Sequence, residues 1–284
     1  MTTDERRRAL EAIADEVRTC TRCRLHAGRT SAVPGEGHPD TEVAFVGEGP
    51  GFNEDQQGRP FVGAAGSFLN ELLRSVGWRR DEVFITNVVK CRPPGNRDPE
   101  PDEIAACAPF LRRQLEVLDP ALVVTLGRFS LNTFMPGARI GAVHGTTRPV
   151  DPGTGAADAT AYAMYHPAVA FRQAALRDTL RADMAGVPQA LLDSRARRGD
   201  VQAAAVDEPS ETLPRVETES VEVATVELPR PQETPNGASV EVGAAATAPR
   251  PEETPRIEVA VEVPTAELGR REPDPGSAEQ LGLF

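Results

Sequence analysis

The chain has 284 residues, 39% of them hydrophobic, and a formal charge of −12. That charge is unevenly placed: residues 1–200 carry 25 basic and 26 acidic side chains, residues 201–284 carry 6 and 17. The acidity therefore describes the tail and does not exclude nucleic acid as a partner of the rest. No apolar run is long enough to span a membrane, and Thr2 to Arg18 is charged and amphipathic rather than a secretory leader, so a reducing cytoplasmic setting, without a membrane partner, is the expectation.

Residues 1–196 are long enough for one domain with a substantial core. The spacing of Leu10, Ile13 and Val17 predicts a first helix ending just before Cys20-x2-Cys23. Strands are predicted at Val43 to Val46, Val83 to Val89, Leu122 to Leu126 and Ala161 to Tyr165. Helices are predicted at Ala64 to Val76, Asp102 to Leu118, Phe129 to Phe134 and Ala168 to about Leu192. This alternation implies an α/β fold, a three-layer α/β/α sandwich around a mostly parallel sheet of about four strands. From Arg197 the composition turns to Pro, Glu, Thr, Val and Ala, and residues 197–279 are expected to be a disordered acidic linker. Within it LPRPQETP (228–235) echoes APRPEETP (248–255), a linker expanded by duplication.

The four cysteines, Cys20, Cys23, Cys91 and Cys107, are all the chain has. Two disulfides, a structural zinc, an iron-sulfur cluster and unligated core thiols all compete. A reducing compartment disfavours disulfides. Zinc sites of four cysteines usually pair two close CxxC knuckles, and here only the first pair is close. A larger inorganic cluster tolerates the wide spacing better.

Three segments follow predicted strands, where ligands bind in such sheets. Gly47 to Gly63 (GEGPGFNEDQQGRPFVG) begins with a tight, glycine-rich turn in which Gly47 and Gly49 allow close approach of a ligand, and Glu48 is its first acid. Asn87 ends the second strand with an amide that both donates and accepts, as reading a base edge requires. His166-Pro167 follows the last strand, where an imidazole can stabilise an anion. The bland readings are a core aromatic for Phe61, a loop cap for Asn87 and a structural histidine for His166. His26 and His144 are read as structural.

The order of Cys20-x2-Cys23, GEGPG (47–51), GRPFVG (58–63), TNVVKCRPP (86–94), Cys107 and HPA (166–168) resembles the iron-sulfur, family 4, uracil-DNA glycosylases over about residues 5–190. The resemblance implies a 4Fe-4S cluster on the four cysteines and a monomeric, monofunctional enzyme that flips uracil out of single- or double-stranded DNA and hydrolyses its N-glycosidic bond. It implies that Glu48 acts on the attacking water or the cationic sugar, Phe61 stacks on the base, Asn87 binds the uracil edge and His166 stabilises the departing anion. Ala168 to Ala175 is then the DNA-penetrating loop, with Ala168 and Arg172 in it and Val169 and Phe171 as candidate wedges. The segment between Arg92 and Ala106 has no histidine, unlike relatives that trap uracil covalently, which argues for turnover. Two other readings stay open: a cluster-bearing DNA-binding or redox-sensing protein on an inactive scaffold, and a glycosylase for another deaminated base such as hypoxanthine.

The last residues, Gln280-Leu281-Gly282-Leu283-Phe284, resemble the QLxLF peptide that docks in the groove of the bacterial sliding clamp. Leu281, Leu283 and Phe284 suit apolar pockets and the Gln280 amide suits the rim. A tail of this length spans on the order of 50 Å as a flexible tether.

Overall fold

The computed structural model describes residues 1–207, with side chains to Gly199. The expected linker beyond Asp207 and the 280–284 peptide lie outside the described residues.

The first helix, α1 (Thr3–Thr19), opens on a capping box in which the Thr2 hydroxyl accepts from the Glu5 amide and the Glu5 carboxylate accepts from the Thr2 amide. This satisfies two amides that the first turn leaves without partners. Its buried Ile13 and Val17 face α4 (Pro101–Leu118). The sheet holds β1 (Glu36–Gly37), β2 (Val43–Gly47), β3 (Phe84–Asn87), β4 (Leu122–Leu126), β5 (Thr147–Pro149) and β6 (Thr160–Met164), in the order β1-β3-β2-β4-β6-β5. The inner four are parallel, and β1 and β5 pair antiparallel on the two edges. The remaining helices are α2 (Phe52–Gln57), α3 (Ala64–Ser75), α5 (Arg128–Phe134), α6 (Ile140–Val143) and α7 (Ala175–Asp207).

Alternation along β2 explains the layers. Ala44 and Val46 join Val123, Phe110, Leu115 and Phe134 in the core on one face, whereas Val43 and Phe45 join Phe68, Leu72, Val124, Leu180 and Met184 on the other. Strands buried on both faces must be covered by helices on both, which is the expected sandwich. The sheet, however, has six strands rather than about four. The two additional strands are an edge pair of two residues and one of three that contains Pro149, too short to carry a period-2 signal.

The helix expected from Ala168 is broken. Residues Pro167–Phe171 form a tight helical turn, with the His166 side chain accepting from the Ala168 amide, and α7 starts only at Ala175. It then runs to Asp207, across the boundary that composition suggests at residue 196. No helix of the described residues is long and apolar enough to cross a membrane.

Candidate active site and cysteine cavity

The chain runs from β2 to β3 on one side and crosses to β4 on the other, so the strand order reverses beside β2. A cleft opens at the carboxyl ends of these strands, as expected of such a reversal. Glu48 and Gly49 after β2, Asn87 at the end of β3, His166 after β6, and Phe61, Ala168 and Arg172 all line it. Gly47 stands beneath, in register with Asn87 on the neighbouring strand. A β-carbon at Gly47 would lie 2.5 Å from Phe61 Cζ and would collide with Asn87 Oδ1. Only glycine leaves room there for the aromatic and the amide together.

Asn87 is 1% exposed, and its Oδ1 has no hydrogen-bond partner. A buried polar atom without a partner is costly, by about 1–3 kcal/mol. Its backbone carbonyl accepts at 2.9 Å from Lys90 Nζ, which also donates to Thr86 Oγ1 at 2.6 Å and Gln114 Oε1 at 2.7 Å. The one lysine of the chain therefore fixes the backbone of this strand end from inside the core.

The His166 ring stacks with Phe61, centroids 5.6 Å apart and planes 29° from parallel. The Ala168 amide donates to His166 Nδ1 at 3.2 Å, so the neutral ring carries its proton on Nε2. Burial pushes the His166 pKa down to about 4. The imidazole is thus neutral in the neutral range and still a donor. Burial raises the Glu48 carboxyl, and Asp98 adds to this while Arg128 and Arg172 oppose it.

Of the remaining loop residues, Val169 packs against the core beside α7, and Phe171 is 56% exposed with its ring edge on Phe68. Sequence reasoning missed Glu54, whose carboxylate accepts from the Val62 and Gly63 amides at 2.9 and 2.8 Å and lines the cleft. It lies on α2, a helix of six residues between glycines; the Gly51 and Gly58 that bound it were the available signal. Asn96 and Arg97 also line the cleft. His144 is paired with Asp183 at 3.0 Å, away from these groups.

All four cysteines are free thiols and line one separate, small cavity, together with Val17, Arg29, Lys90 and Phe110. Among the described residues no three His, Cys, Asp or Glu groups are placed to hold a single metal ion. The four thiols converge on this one space, and four cysteine sulfurs are the donor set that iron-sulfur clusters use. Donors are aimed at the sulfurs: Arg29 Nη1 at Cys91 Sγ (3.1 Å), the Lys90 amide at Cys107 Sγ (3.2 Å) and the Arg22 amide at Cys20 Sγ (3.4 Å). Such bonds are among the features that tune cluster sulfurs.

Residues 34–185 match the model of the uracil DNA glycosylase superfamily, and the chain belongs to that family. Its relatives narrow the class. A type-4 uracil-DNA glycosylase of Saccharolobus solfataricus is 45% identical over 188 residues, 64% of this chain and 86% of that protein. The type-4 enzyme of Thermotoga maritima is 49% identical over 51% of this chain and 76% of its own length. That of Sulfurisphaera tokodaii is 59% identical over 43% of this chain, and the match spans just over half of that relative, 56%.

Proposed function

We propose that this chain is a monofunctional uracil-DNA glycosylase that extrudes uracil and hydrolyses its N-glycosidic bond, beginning base excision repair. The observation that carries the reading is the partnerless Asn87 Oδ1 in a cleft shared with Phe61, His166 and Glu48. A uracil edge would supply the missing donor through its N3–H, while the Asn87 amide group donates to O4. Phe61 offers a face for the base, which offsets part of the few kcal/mol that extrusion costs.

Bond cleavage leaves the electron pair of C1′–N1 on the pyrimidine and positive charge on the sugar. His166 donates its Nε2–H to the O2 of the departing anion. A neutral donor serves here because no proton needs to be transferred to stabilise that oxygen. Glu48 lies on the side of the sugar; its carboxylate stabilises the cation and takes a proton from the water whose oxygen joins C1′. Its partial burial raises its basicity, which suits that role. Ala168 and Arg172 approach the strand from the loop after His166, with the exposed Phe171 as the wedge.

Cys20, Cys23, Cys91 and Cys107 are the proposed ligands of a 4Fe-4S cluster. Bound there, the cluster supplies a covalent cross-link between the end of α1, the chain after β3 and α4. It would brace the segment from Arg92 to Ala106, which begins five residues beyond Asn87, and none of the roles proposed for Glu48, Asn87 and His166 passes through it.

The tail is proposed as a tether to the sliding clamp through Gln280, Leu281, Leu283 and Phe284. The support is the sequence QLGLF at residues 280–284. Deleting these five residues should abolish clamp pull-down and leave excision from free oligonucleotides intact; unchanged clamp binding contradicts the tether. The glycosylase itself is tested by base release from oligonucleotides containing uracil, hypoxanthine or only normal bases. Uracil alone should be released, leaving an abasic strand, and release of hypoxanthine instead would transfer the reading to another deaminated base.

A further inference from the structure

We propose that Arg80, held by Glu36, is the positioning residue for Phe61, fixing the plane on which the extruded base stacks. The inference rests on the proposed role of Phe61.

Phe61 has φ +48°, a left-handed backbone that residues with side chains seldom adopt. Something must hold it there. On one side α3 presses against it: a β-carbon at Gly66 would lie 2.9 Å from Phe61 Cα and closer still to its carbonyl. On the other side the Arg80 guanidinium spans two successive carbonyls, Nη2 donating to Pro60 O and Nη1 donating to Phe61 O at 3.1 Å. Nη1 also reaches Asn70 Oδ1 on α3 at 3.3 Å. One fork thus ties the strained loop to both the helix that follows it and the turn that leads into β3.

Glu36 aims the fork. Its Oε1 accepts from Arg80 Nε at 2.8 Å and its Oε2 from Arg59 Nε at 2.7 Å, so one carboxylate grips the loop at Arg59 and, through Arg80, at Pro60 and Phe61. Glu36 sits on β1, the two-residue edge strand paired with β3. That strand, otherwise too short to matter, anchors the carboxylate to the sheet that carries Asn87. Arg80 and Glu36 are 19% and 27% exposed, and neither lines the cleft. They act on the base only through Phe61. A lysine cannot reproduce a fork that bridges two carbonyls.

A pre-set stacking plane lowers the ordering cost of taking in the base. Stacking holds the extruded ground state and the transition state alike, so its loss should appear in KM more than in kcat. A general loss of folded protein would instead lower the apparent kcat.

The test is a double-mutant cycle on a single-stranded oligonucleotide containing uracil, with wild type, Arg80→Ala, Phe61→Ala and the double variant. Arg80→Ala should lower kcat/KM by on the order of tenfold, mainly through KM. In the Phe61→Ala background the same change should have an effect of less than about twofold, because the group it positions is gone. Arg80→Lys should not restore the wild-type value, and Glu36→Gln, which keeps the side-chain shape, should move KM in the same direction. Equal losses in both backgrounds overturn the proposal, as does a loss in Phe61→Ala with none in Arg80→Ala or Glu36→Gln. If Phe61→Ala itself is fully active, the stacking role fails, and the positioning role fails with it.

Discussion

Gly47 and Asn87 are register partners on adjacent parallel strands, and the bare α-carbon of Gly47 leaves open the space that the Asn87 carboxamide occupies beside Phe61. Gly47→Ala should therefore lower single-turnover uracil release by at least about 100-fold, the order expected when reacting groups are misplaced by an ångström. The added methyl meets the buried Phe61 ring and Asn87 carboxamide, so thermal stability should fall as well, by the ~1–3 kcal/mol of overpacking, yet by less than activity. Differential scanning fluorimetry beside the rate measurement checks the pair of outcomes.

His166→Ala should cost about 3 kcal/mol of barrier, a factor of roughly 10² to 10³ in kcat, with the fold retained. The pH profile separates its role from that of Glu48. The His166 pKa is held down to about 4 by burial, so it stays neutral above that and should give no inflection near its ordinary 6.5. Burial raises the Glu48 pKa above its ordinary 4.5, so activity that needs the carboxylate is lost as pH falls through a value higher than that. The acid limb of kcat/KM should thus lie above pH 4.5 and vanish in Glu48→Gln along with most of the activity. A limb centred at 6.5 that disappears in a His166 variant would assign general acid catalysis to the imidazole instead.

Glu103 ties the loop after β3 to α4. Fully buried, it accepts from Arg97 Nη2 at 2.7 Å and from the Glu100 amide at 2.8 Å, and these partners hold its pKa down to about 2. A depressed carboxylate contributes stability that is present above its unfolded value, near 4.5, and is lost as pH falls toward 2. Glu103→Gln should destabilise the domain by about 1–2 kcal/mol at pH 7, because Arg97 and Arg24 lose a charge-assisted partner but both reach solvent. The difference in Tm from wild type should shrink steadily below pH 4.5.

Replacing Cys91 with Ala should remove a ligand of the proposed cluster and with it the iron and the visible absorbance of the purified protein. Oligonucleotide affinity and Tm should fall together, while the single-turnover rate at saturating protein changes by less than about tenfold, because none of Glu48, Asn87 and His166 lines the cysteine cavity. A cluster that took part in the chemistry would instead reduce the saturated rate and leave affinity unchanged.

The inner sheet and the three strand-end residues were legible because buried parallel strands read as apolar runs and functional groups collect at their carboxyl ends. Glu48, Asn87 and His166 meet in one cleft as the strand order requires. What stayed hidden depends on few residues or on tertiary contacts. The two-residue β1 has no periodicity, yet it carries Glu36. Glu54 is recognisable only once α2 folds back and its carboxylate caps the amides of Val62 and Gly63. The break before α7 falls at Arg172 to Ala174, after the turn that His166 caps, where no proline or glycine marks it in the sequence.

The central claim, that the Asn87 carboxamide in this cleft reads uracil, is tested most directly by single-turnover base release from a single-stranded oligonucleotide with one uracil, comparing wild type with Asn87→Ala. Wild type should liberate free uracil and leave an abasic strand, and Asn87→Ala should be slower by a factor of roughly 10² to 10³ at an unchanged Tm. Equal rates for the two proteins, or no free uracil from wild type, would contradict the account.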